Sequence, residues 1–237
     1  MNMNKSASSH YIGQEGEKYL KVFDGLEIGR LYQCKEHFAR YCSDEKVVLD
    51  LGSADGFFLA NLPAKRRIGV EANPAARLLS RDTEKRFGVI IETVDSLEDV
   101  ADGVADIAIS NHCLEHILTP YAFLKELRIK LKPNALFVLV VPFDDWRKKE
   151  HRTWRSSDVD NHLYTWSPLN LGNLLMEAGF KVDSCRVITG AWHPRFFWIL
   201  LRLHPRAFAI ACFIFGLVTN RREILAIAQA PCKSGND

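Results

Sequence analysis

The feature that most limits how this chain can fold is a short apolar run that ends in a glycine-bounded turn. Residues Val47 to Leu51 are apolar apart from Asp50, and a run that is apolar on both faces is typical of a central parallel strand. Gly52 to Gly56 then predict a tight turn, and Phe57 to Leu62 predict a helix. A strand, a glycine turn and a helix in this order bring backbone N–H groups close to a ligand, although glycine spacing alone is a weak signal.

A second short strand strengthens this interpretation. Arg67 to Glu71 is mostly apolar and ends in an acid. Glu71 follows the turn by roughly 20 residues, the spacing at which an acid accepts hydrogen bonds from ribose hydroxyls. The two strands together predict a site for a nucleoside-containing ligand.

Several segments resemble the class I S-adenosylmethionine-dependent methyltransferases. VLDLGSADG and IGVEANP resemble the first two motifs of that family. ADIAISNHCLEHILTPYAFLKELRIKLKPNALFVLVVP and SPLNLGNLLMEAGFKV are similar to its small-molecule, type 11/23-like branch, which includes the ubiquinone-type and sugar-cluster methyltransferases. The resemblance runs from Lys46 to Val187. It departs from the family at Ala54, in place of a glycine, and at Asn134-Ala135, in place of a glycine pair. Both positions can still form turns, because alanine is small and asparagine tolerates positive φ.

The resemblance implies an α/β fold. We expect a Rossmann-like, seven-stranded, mostly parallel sheet with helices on both faces, an N-terminal helical cap and an apolar helical insertion between strands 6 and 7. The strands are expected at 46–51, 67–71, 88–92, 105–110, 135–141, 181–187 and 223–228. The expected division is a disordered start and helical cap over 1–45 and a cofactor-binding domain over 46–237, with the insertion at 190–220.

Composition narrows the class of protein further. The 237 residues are 47% hydrophobic and 25% charged, which fits one α/β domain with a sizeable core. A net charge of +2 is too small to predict a nucleic-acid partner. The six cysteines show no C-x-x-C spacing, so neither a zinc framework nor a disulfide framework is predicted. With a polar start that lacks a secretory pattern, this favours a cytoplasmic protein.

The resemblance also implies the cofactor, S-adenosyl-L-methionine, and the residues that hold it. Most of them lie at the carboxyl ends of the first four strands, which face the ligand crevice in such folds. For Asp95 the alternative role is a helix cap. The expected cofactor-binding residues are Asp50, Gly52, Ser53, Ala54, Gly56, Glu71, Ala72, Asp95, Ser96, Asn111 and His112.

The acceptor side is expected along the polar stretch that follows the fifth strand. Residues 147–160 show almost no apolar periodicity, and long polar loops between packed elements are commonly functional. If the acceptor is a hydroxyl, a histidine base assists transfer. His162 is the first candidate for that base, with Asp160 as its orienting partner and His151 as the second candidate. Four aromatic residues are expected to line the acceptor pocket: Tyr11, Tyr19, Tyr164 and Trp166.

Alternatives to this assignment remain open. His162 and Tyr164 can instead belong to a packed lid that is fixed by hydrogen bonds, and the N-terminal helices can merely cap the sheet edge. Ala54 and the absent glycine pair leave room for a scaffold that binds the cofactor without catalysis.

A second enzyme class rests on His112 to His116, which also spell the inverted zinc-peptidase motif H-x-x-E-H. That zinc-dependent hydrolase would use His112, Glu115 and His116 on one long helix. The motif directly follows an apolar strand and precedes Pro120, so we expect only a short turn there. His116 is expected to be structural, and no metal is predicted.

The insertion at 190–220 is apolar and contains no acid between Gly190 and Arg222. Arginines and tryptophans mark its rims, as in interfacial membrane anchors. Residues 192–220 are therefore expected to contact an anionic membrane face and give access to a small-molecule or lipid-linked acceptor, with O-methylation as the favoured reaction. The competing roles are a homodimer interface and a cover over the substrate cavity. The favoured location is cytoplasmic, peripheral at the inner membrane face.

Overall fold

The computed structural model describes residues 9–13, 16, 20, 27–143, 153–156, 160–189, 199 and 204–232. Seven strands form one sheet in the order β3-β2-β1-β4-β5-β7-β6. Strand β7 runs antiparallel to β5 and β6, and the remaining pairings are parallel. This arrangement confirms the predicted Rossmann-like sheet. The strands are β1 Ser43–Leu51, β2 Ala64–Val70, β3 Glu92–Val94, β4 Ala105–Asn111, β5 Leu131–Pro142, β6 Lys181–Ile188 and β7 Glu223–Gln229.

Helices connect the strands, and local sequence sets where several of them begin. Helices α3 to α6 each carry proline in the first turn, where its missing N–H is not needed. The side chain of Asn73 caps α3 by accepting from the Ala75 N–H at 3.0 Å. Ser167 and Asn170 form a capping box at α5. The helices are α1 Glu27–Gln33, α2 Phe57–Ala60, α3 Pro74–Phe87, α4 Pro120–Lys130, α5 Pro168–Glu177 and α6 Pro205–Val218.

The sheet is buried on both faces. Along β1, Val48 packs into one hydrophobic cluster and Leu49 into the other. Val138 and Leu139 divide in the same way along β5. The apolar run of β1 therefore lies at the centre of the protein, which places the turn that follows it at the carboxyl edge of the sheet.

The third strand lies later in the chain than its predicted position at 88–92. Helix α3 continues to Phe87, and β3 begins at Glu92. Between them, the Ile91 N–H donates to Oε1 of Glu84 at 2.6 Å. A side chain of α3 thus takes the hydrogen bond that a neighbouring strand would otherwise receive.

The turn predicted before the fifth strand at Asn134-Ala135 lies instead inside β5, which begins at Leu131. Asn134 has φ of +61°, and the pairing of β5 with β4 is irregular between Ala105 and Ile107. The aligned part of β5 begins at Leu136, opposite Ile107. An asparagine in the left-handed region thus does here what the absent glycine pair would do.

Two helical regions lie near the carboxyl ends of the parallel strands. The described part of the N-terminal segment contains α1, a π-helical turn at Cys34–Phe38 and a 3₁₀ turn at Ala39–Tyr41. Helix α6 lies between β6 and β7, which confirms the predicted helical insertion. None of the described helices is long and apolar enough to cross a bilayer. The division of the chain into 1–45 and 46–237 stays a prediction.

Candidate functional site

The turn after β1 is fastened to the neighbouring strand β2. The N–H groups of Gly52 and Ser53 both donate to the Val70 carbonyl, at 2.9 and 3.1 Å. Gly52 has φ of +72° and Gly56 has φ of +73°, a region that glycine enters without steric cost. A Cβ on Gly52 would also lie 2.8 Å from Sγ of Cys113. The backbone conformation and the packing both require glycine there.

Glu71 extends from the end of β2 to this turn. Its carboxylate accepts from the Ala54 N–H and from the Asn73 N–H, each at 2.8 Å. Burial raises the pKa of Glu71 above the ordinary glutamate value, although both N–H groups favour the carboxylate. Ala54 has φ of +48°, a conformation that costs an L-residue about 1–2 kcal/mol. The bond to Glu71 helps to hold that strained residue in place.

The other cofactor candidates near β1 to β3 differ in exposure. Asp50 is 3% exposed, and burial raises its pKa well above the ordinary aspartate value. Ser53 is also buried, whereas Asp95, directly after β3, is exposed. The Ser96 hydroxyl donates to Oδ2 of Asp99 at 3.0 Å across a 3₁₀ turn at Leu97–Asp99. Ala72 lies between Glu71 and the Asn73 cap, partly buried.

Helix α1 clamps the turn from outside. The Arg30 guanidinium makes a bidentate ion pair with the Asp55 carboxylate. Its Cζ lies 4.5 Å from the ring centroid of Phe57. Because Arg30 is 8% exposed, this pair is shielded from water better than an ordinary surface ion pair. The N-terminal segment therefore packs directly against the turn after β1.

An unsatisfied polar atom is evidence for a ligand site beside the turn after β1. Oδ1 of Asn111, at the end of β4, is buried and has no hydrogen-bond partner among the residues that the structure describes. Such atoms in native proteins usually face a ligand, an ion or a water. Asn111 shares the carboxyl edge of the sheet with Gly52 and Glu71, so the donor and acceptor set fits an adenosine bearing a charged amino-acid tail.

His112 turns away from the strand and into a charged network. Its φ is +53°, its Nε2 lies 3.0 Å from Oε1 of Glu223, and its Nδ1 lies 3.5 Å from Oε1 of Glu115. Burial opposes protonation, but the two carboxylates raise the pKa of His112 to about 10. The two carboxylates therefore favour the protonated imidazole, whose side chain is 32% exposed, and contact with the methionine part of the cofactor stays a prediction.

Glu223 connects that network to the N-terminal segment. Gln33 Nε2 donates to Oε1 of Glu223 at 3.2 Å, and His37 Nε2 lies 3.7 Å from Oε2. Burial disfavours the charged carboxylate of Glu223, yet the hydrogen bond and charge of His112 lower the pKa of Glu223 below the ordinary glutamate value. Strand β7, α1 and the end of β4 are thus joined through one carboxylate.

The segment 160–166 docks on the turn that follows β4. The N–H groups of Leu163 and Tyr164 donate to the Glu115 carbonyl, at 3.0 and 3.3 Å. The Tyr164 hydroxyl donates to the Leu118 carbonyl at 2.9 Å, and Trp166, 6% exposed, stacks beside Tyr164. These contacts are those of the packed-lid alternative, and pocket-lining roles for Tyr164 and Trp166 stay predictions. We name residues 160–166 the lid segment.

The lid segment brings His162 beside the β4 turn. The rings of His162 and His116 lie 5.1 Å apart, and the ring of Tyr11 lies 4.3 Å from that of His116. The Tyr11 hydroxyl donates to the Asp160 carbonyl. Three of the predicted acceptor-side residues are therefore gathered at one place, although their catalytic or binding roles stay predictions. Two further candidates lie outside the described residues: Tyr19 and His151.

The geometry does not favour the zinc-peptidase interpretation. The motif forms only a single 3₁₀ turn at Leu114–His116, so no long helix carries both histidines. His112 is engaged by Glu223, and the described side chains close enough to share an ion do not include His112.

Several site residues were not anticipated from the sequence. Asp55 and Glu223 carry no local signal, because each acts through a partner far along the chain. Glu115 was considered only as a zinc-peptidase base. The pair Asn73-Pro74 predicted a helix start, but it did not predict the hydrogen bond from the Asn73 N–H to Glu71.

Comparisons with known proteins agree with this geometry. Residues 28–185 match a family model described as a methyltransferase domain. The methyltransferase-like subunit of a Haloferax volcanii complex with the Trm112 methyltransferase activator is 18% identical, with a TM-score of 0.63 over 91% of this chain and 95% of that one. A Methanosarcina mazei S-adenosylmethionine-dependent methyltransferase is 17% identical, with a TM-score of 0.59 over 82% and 96%.

A Haemonchus contortus phosphoethanolamine N-methyltransferase 2, bound to phosphomonomethylethanolamine and S-adenosylhomocysteine, is 14% identical, with a TM-score of 0.60 over 93% of this chain and 58% of that one. No curated protein matches the chain in sequence.

Proposed function

Since the chain belongs to the methyltransferase-domain family and uses S-adenosylmethionine, we propose that it methylates an oxygen atom of a small-molecule or lipid-linked acceptor. The observation that carries the proposal is the docking of the lid segment on the β4 turn. It places His162 at the same sheet edge as Glu71 and Asn111. The expected cofactor residues and a histidine, a residue type whose ordinary pKa suits a general base, then lie at one edge of the sheet.

When bound, S-adenosylmethionine would supply an activated methyl group, and the carbon–sulfur bond would break as the new carbon–oxygen bond forms. Glu71 would accept hydrogen bonds from the ribose hydroxyls, and Asn111 would contact the amino-acid tail. A ring nitrogen of His162 takes the proton of the acceptor hydroxyl. Trp166 and Tyr164 fix the lid segment, so that His162 is held in place and water has less access.

The test is methyl transfer from labelled S-adenosylmethionine to a panel of hydroxyl and amine acceptors. We expect hydroxyl compounds to be methylated, and His162→Ala to lose about 10²–10⁴-fold in turnover while calorimetry shows unchanged binding of S-adenosylhomocysteine. Full turnover in that variant would dismiss His162 as the base. Transfer to amines alone would replace oxygen by nitrogen, the acceptor atom named for the Haemonchus contortus enzyme. Tight cofactor binding without transfer to any acceptor would favour the non-catalytic scaffold.

A membrane-facing acceptor is supported by helix α6. Its inward side carries Phe208 and Cys212, which are buried, and Phe208 packs edge-on against Tyr32 of α1 at 5.2 Å. Its outward side is apolar and exposed, and exposed arginines lie at both ends, Arg206 and Arg221. The outward apolar residues are Ile210, Phe213, Ile214, Leu217 and Val218. An apolar stripe with cationic ends matches an anionic lipid surface.

Flotation with vesicles tests this part of the proposal. We expect binding to anionic vesicles and little binding to neutral ones. Ile214→Asp should abolish it, whereas Leu78→Asp, at a similarly exposed apolar position on α3, should not. No flotation would exclude the membrane role, and sedimentation would then assign the outward face: a dimer would make it a subunit interface, and a monomer would leave the cavity cover.

A further inference from the structure

A cluster of three side chains lies where the lid segment meets the β4 turn. It consists of Glu115, His116 and His162, which we name the Glu-His-His cluster. Each side chain offers one ligand atom, and these atoms all lie within 4.8 Å of one another. Glu115 and His116 are buried, whereas His162 is partly exposed. The lid segment therefore completes the cluster from its more accessible side.

The state of Glu115 is unusual for a carboxylate. Its side chain is fully buried, and neither oxygen has a hydrogen-bond partner within the described part of the chain. The imidazole of His112 lies 3.5 Å from Oε1, but its shorter contact, 3.0 Å, is with Glu223. A buried carboxylate without a hydrogen bond is costly, and the long contact with His112 compensates this cost only in part, so a bound cation is one arrangement that would satisfy the carboxylate.

We propose that the Glu-His-His cluster binds a divalent first-row transition-metal ion. Two imidazole nitrogens and one carboxylate oxygen suit zinc, cobalt or manganese, whereas magnesium and calcium prefer oxygen ligands throughout. Two imidazoles that share an ion at about 2 Å from each nitrogen have ring centroids about 5 Å apart. The rings of His116 and His162 lie 5.1 Å apart, which matches this centroid spacing.

The surroundings hold these ligands in position. Tyr11 packs against His116 at 4.3 Å and donates to the Asp160 carbonyl, and the Glu115 carbonyl receives two N–H groups of the lid segment. Such outer contacts orient metal ligands. Three protein ligands leave a coordination position open, in which an acceptor hydroxyl would be acidified by the ion. That role rests on the proposed methyl transfer to oxygen, whereas ion binding does not. With the ion bound, His162 would act as a metal ligand instead of as the base.

Cobalt titration of the metal-stripped protein tests the proposal. The background variant is Cys232→Ser, because Cys232 is an exposed free thiol that would bind cobalt by itself. We expect one equivalent of Co²⁺ to bind by calorimetry, with visible absorption bands of nitrogen and oxygen coordination, and Mg²⁺ not to compete. Glu115→Gln and His162→Ala should each weaken binding by about 100-fold or more, since even outer-shell changes cost 10–100-fold.

The matched control is His204→Asn. His204 caps α6 through its Nδ1, and asparagine is an equally good cap, so cobalt affinity should stay unchanged. Calorimetry with S-adenosylhomocysteine shows whether each variant is folded, and His162→Ala, at the partly exposed position, carries the test if Glu115→Gln does not fold. Absence of cobalt, zinc and manganese binding, or equal binding in wild type and His162→Ala, overturns the proposal. Metal binding without methyl transfer would instead overturn the proposed function alone.

Discussion

Replacing Glu71 by glutamine tests the cofactor side of the site most directly. The carboxylate accepts two backbone N–H groups at 2.8 Å, one from the turn and one from the start of α3. Glutamine has one acceptor oxygen, so its amide group would face the second N–H, donor against donor. A hydrogen bond to a charged group contributes about 1.5–3 kcal/mol. Relief of the buried charge offsets part of this loss, and we expect a net destabilisation of about 1–2 kcal/mol.

The effect on cofactor binding should be larger than the effect on stability. The same carboxylate is expected to accept the ribose hydroxyls, and loss of one charge-assisted bond corresponds to about a 10- to 100-fold weaker Kd. Calorimetry with S-adenosylhomocysteine measures the affinity, and thermal unfolding should shift by about 2–8 °C. Glu92→Gln is the control, because Glu92 is exposed and pairs with Arg66, so affinity should stay within twofold. Wild-type affinity in Glu71→Gln would refute the assignment of the cofactor to this turn.

Three further predictions follow from the same contacts. Gly52→Ala should destabilise the fold by about 2–5 kcal/mol, because alanine is strained at a positive φ and its Cβ would overlap with Cys113. Chemical denaturation measures this loss, and an unchanged midpoint would contradict the prediction. Cofactor affinity should fall as pH drops through the pKa of Glu71, which burial raises above 4.5, and titration calorimetry should show the loss begin at higher pH than for an exposed glutamate. Phe208→Ala should cost about 3–5 kcal/mol of stability, whereas the exposed Phe213→Ala should cost under about 0.5 kcal/mol by the same denaturation assay.

The backbone geometry of the expected cofactor half of the site could be predicted because its information is local. The apolar run, the two glycines and Glu71 lie within 25 residues of one another in the chain, and each implies its own conformation. The departure at Ala54 was also interpretable, because a small residue can be forced into the left-handed region when a neighbour holds it, as Glu71 does. The β3 position was missed because the Ile91 N–H is bonded to the Glu84 side chain, a contact that hydrophobic periodicity does not reveal.

The acceptor half could not be predicted to the same depth because it is assembled from remote segments. His112 and Glu223 are separated by 111 positions, and Tyr11 and Asp160 by 149. Periodicity and spacing carry no information about such pairs. The sequence did place His162, Asp160 and Tyr11 on the acceptor side, but it could not show that His116 lies between His162 and Tyr11.

This difference between the two halves bears on the order in which they assemble. The turn at 52–56 is hydrogen-bonded to Val70 of β2 and to Glu71, and none of these bonds involves the lid segment. The β4 turn at Leu114–His116, in contrast, receives both the lid segment, through the Glu115 carbonyl, and the N-terminal segment, through Tyr11. Because loop contacts open more readily than those inside a sheet, the acceptor half should assemble around a cofactor already held by Glu71. Cofactor binding would then come first, and the acceptor chemistry would depend on residues that meet only when both segments are docked.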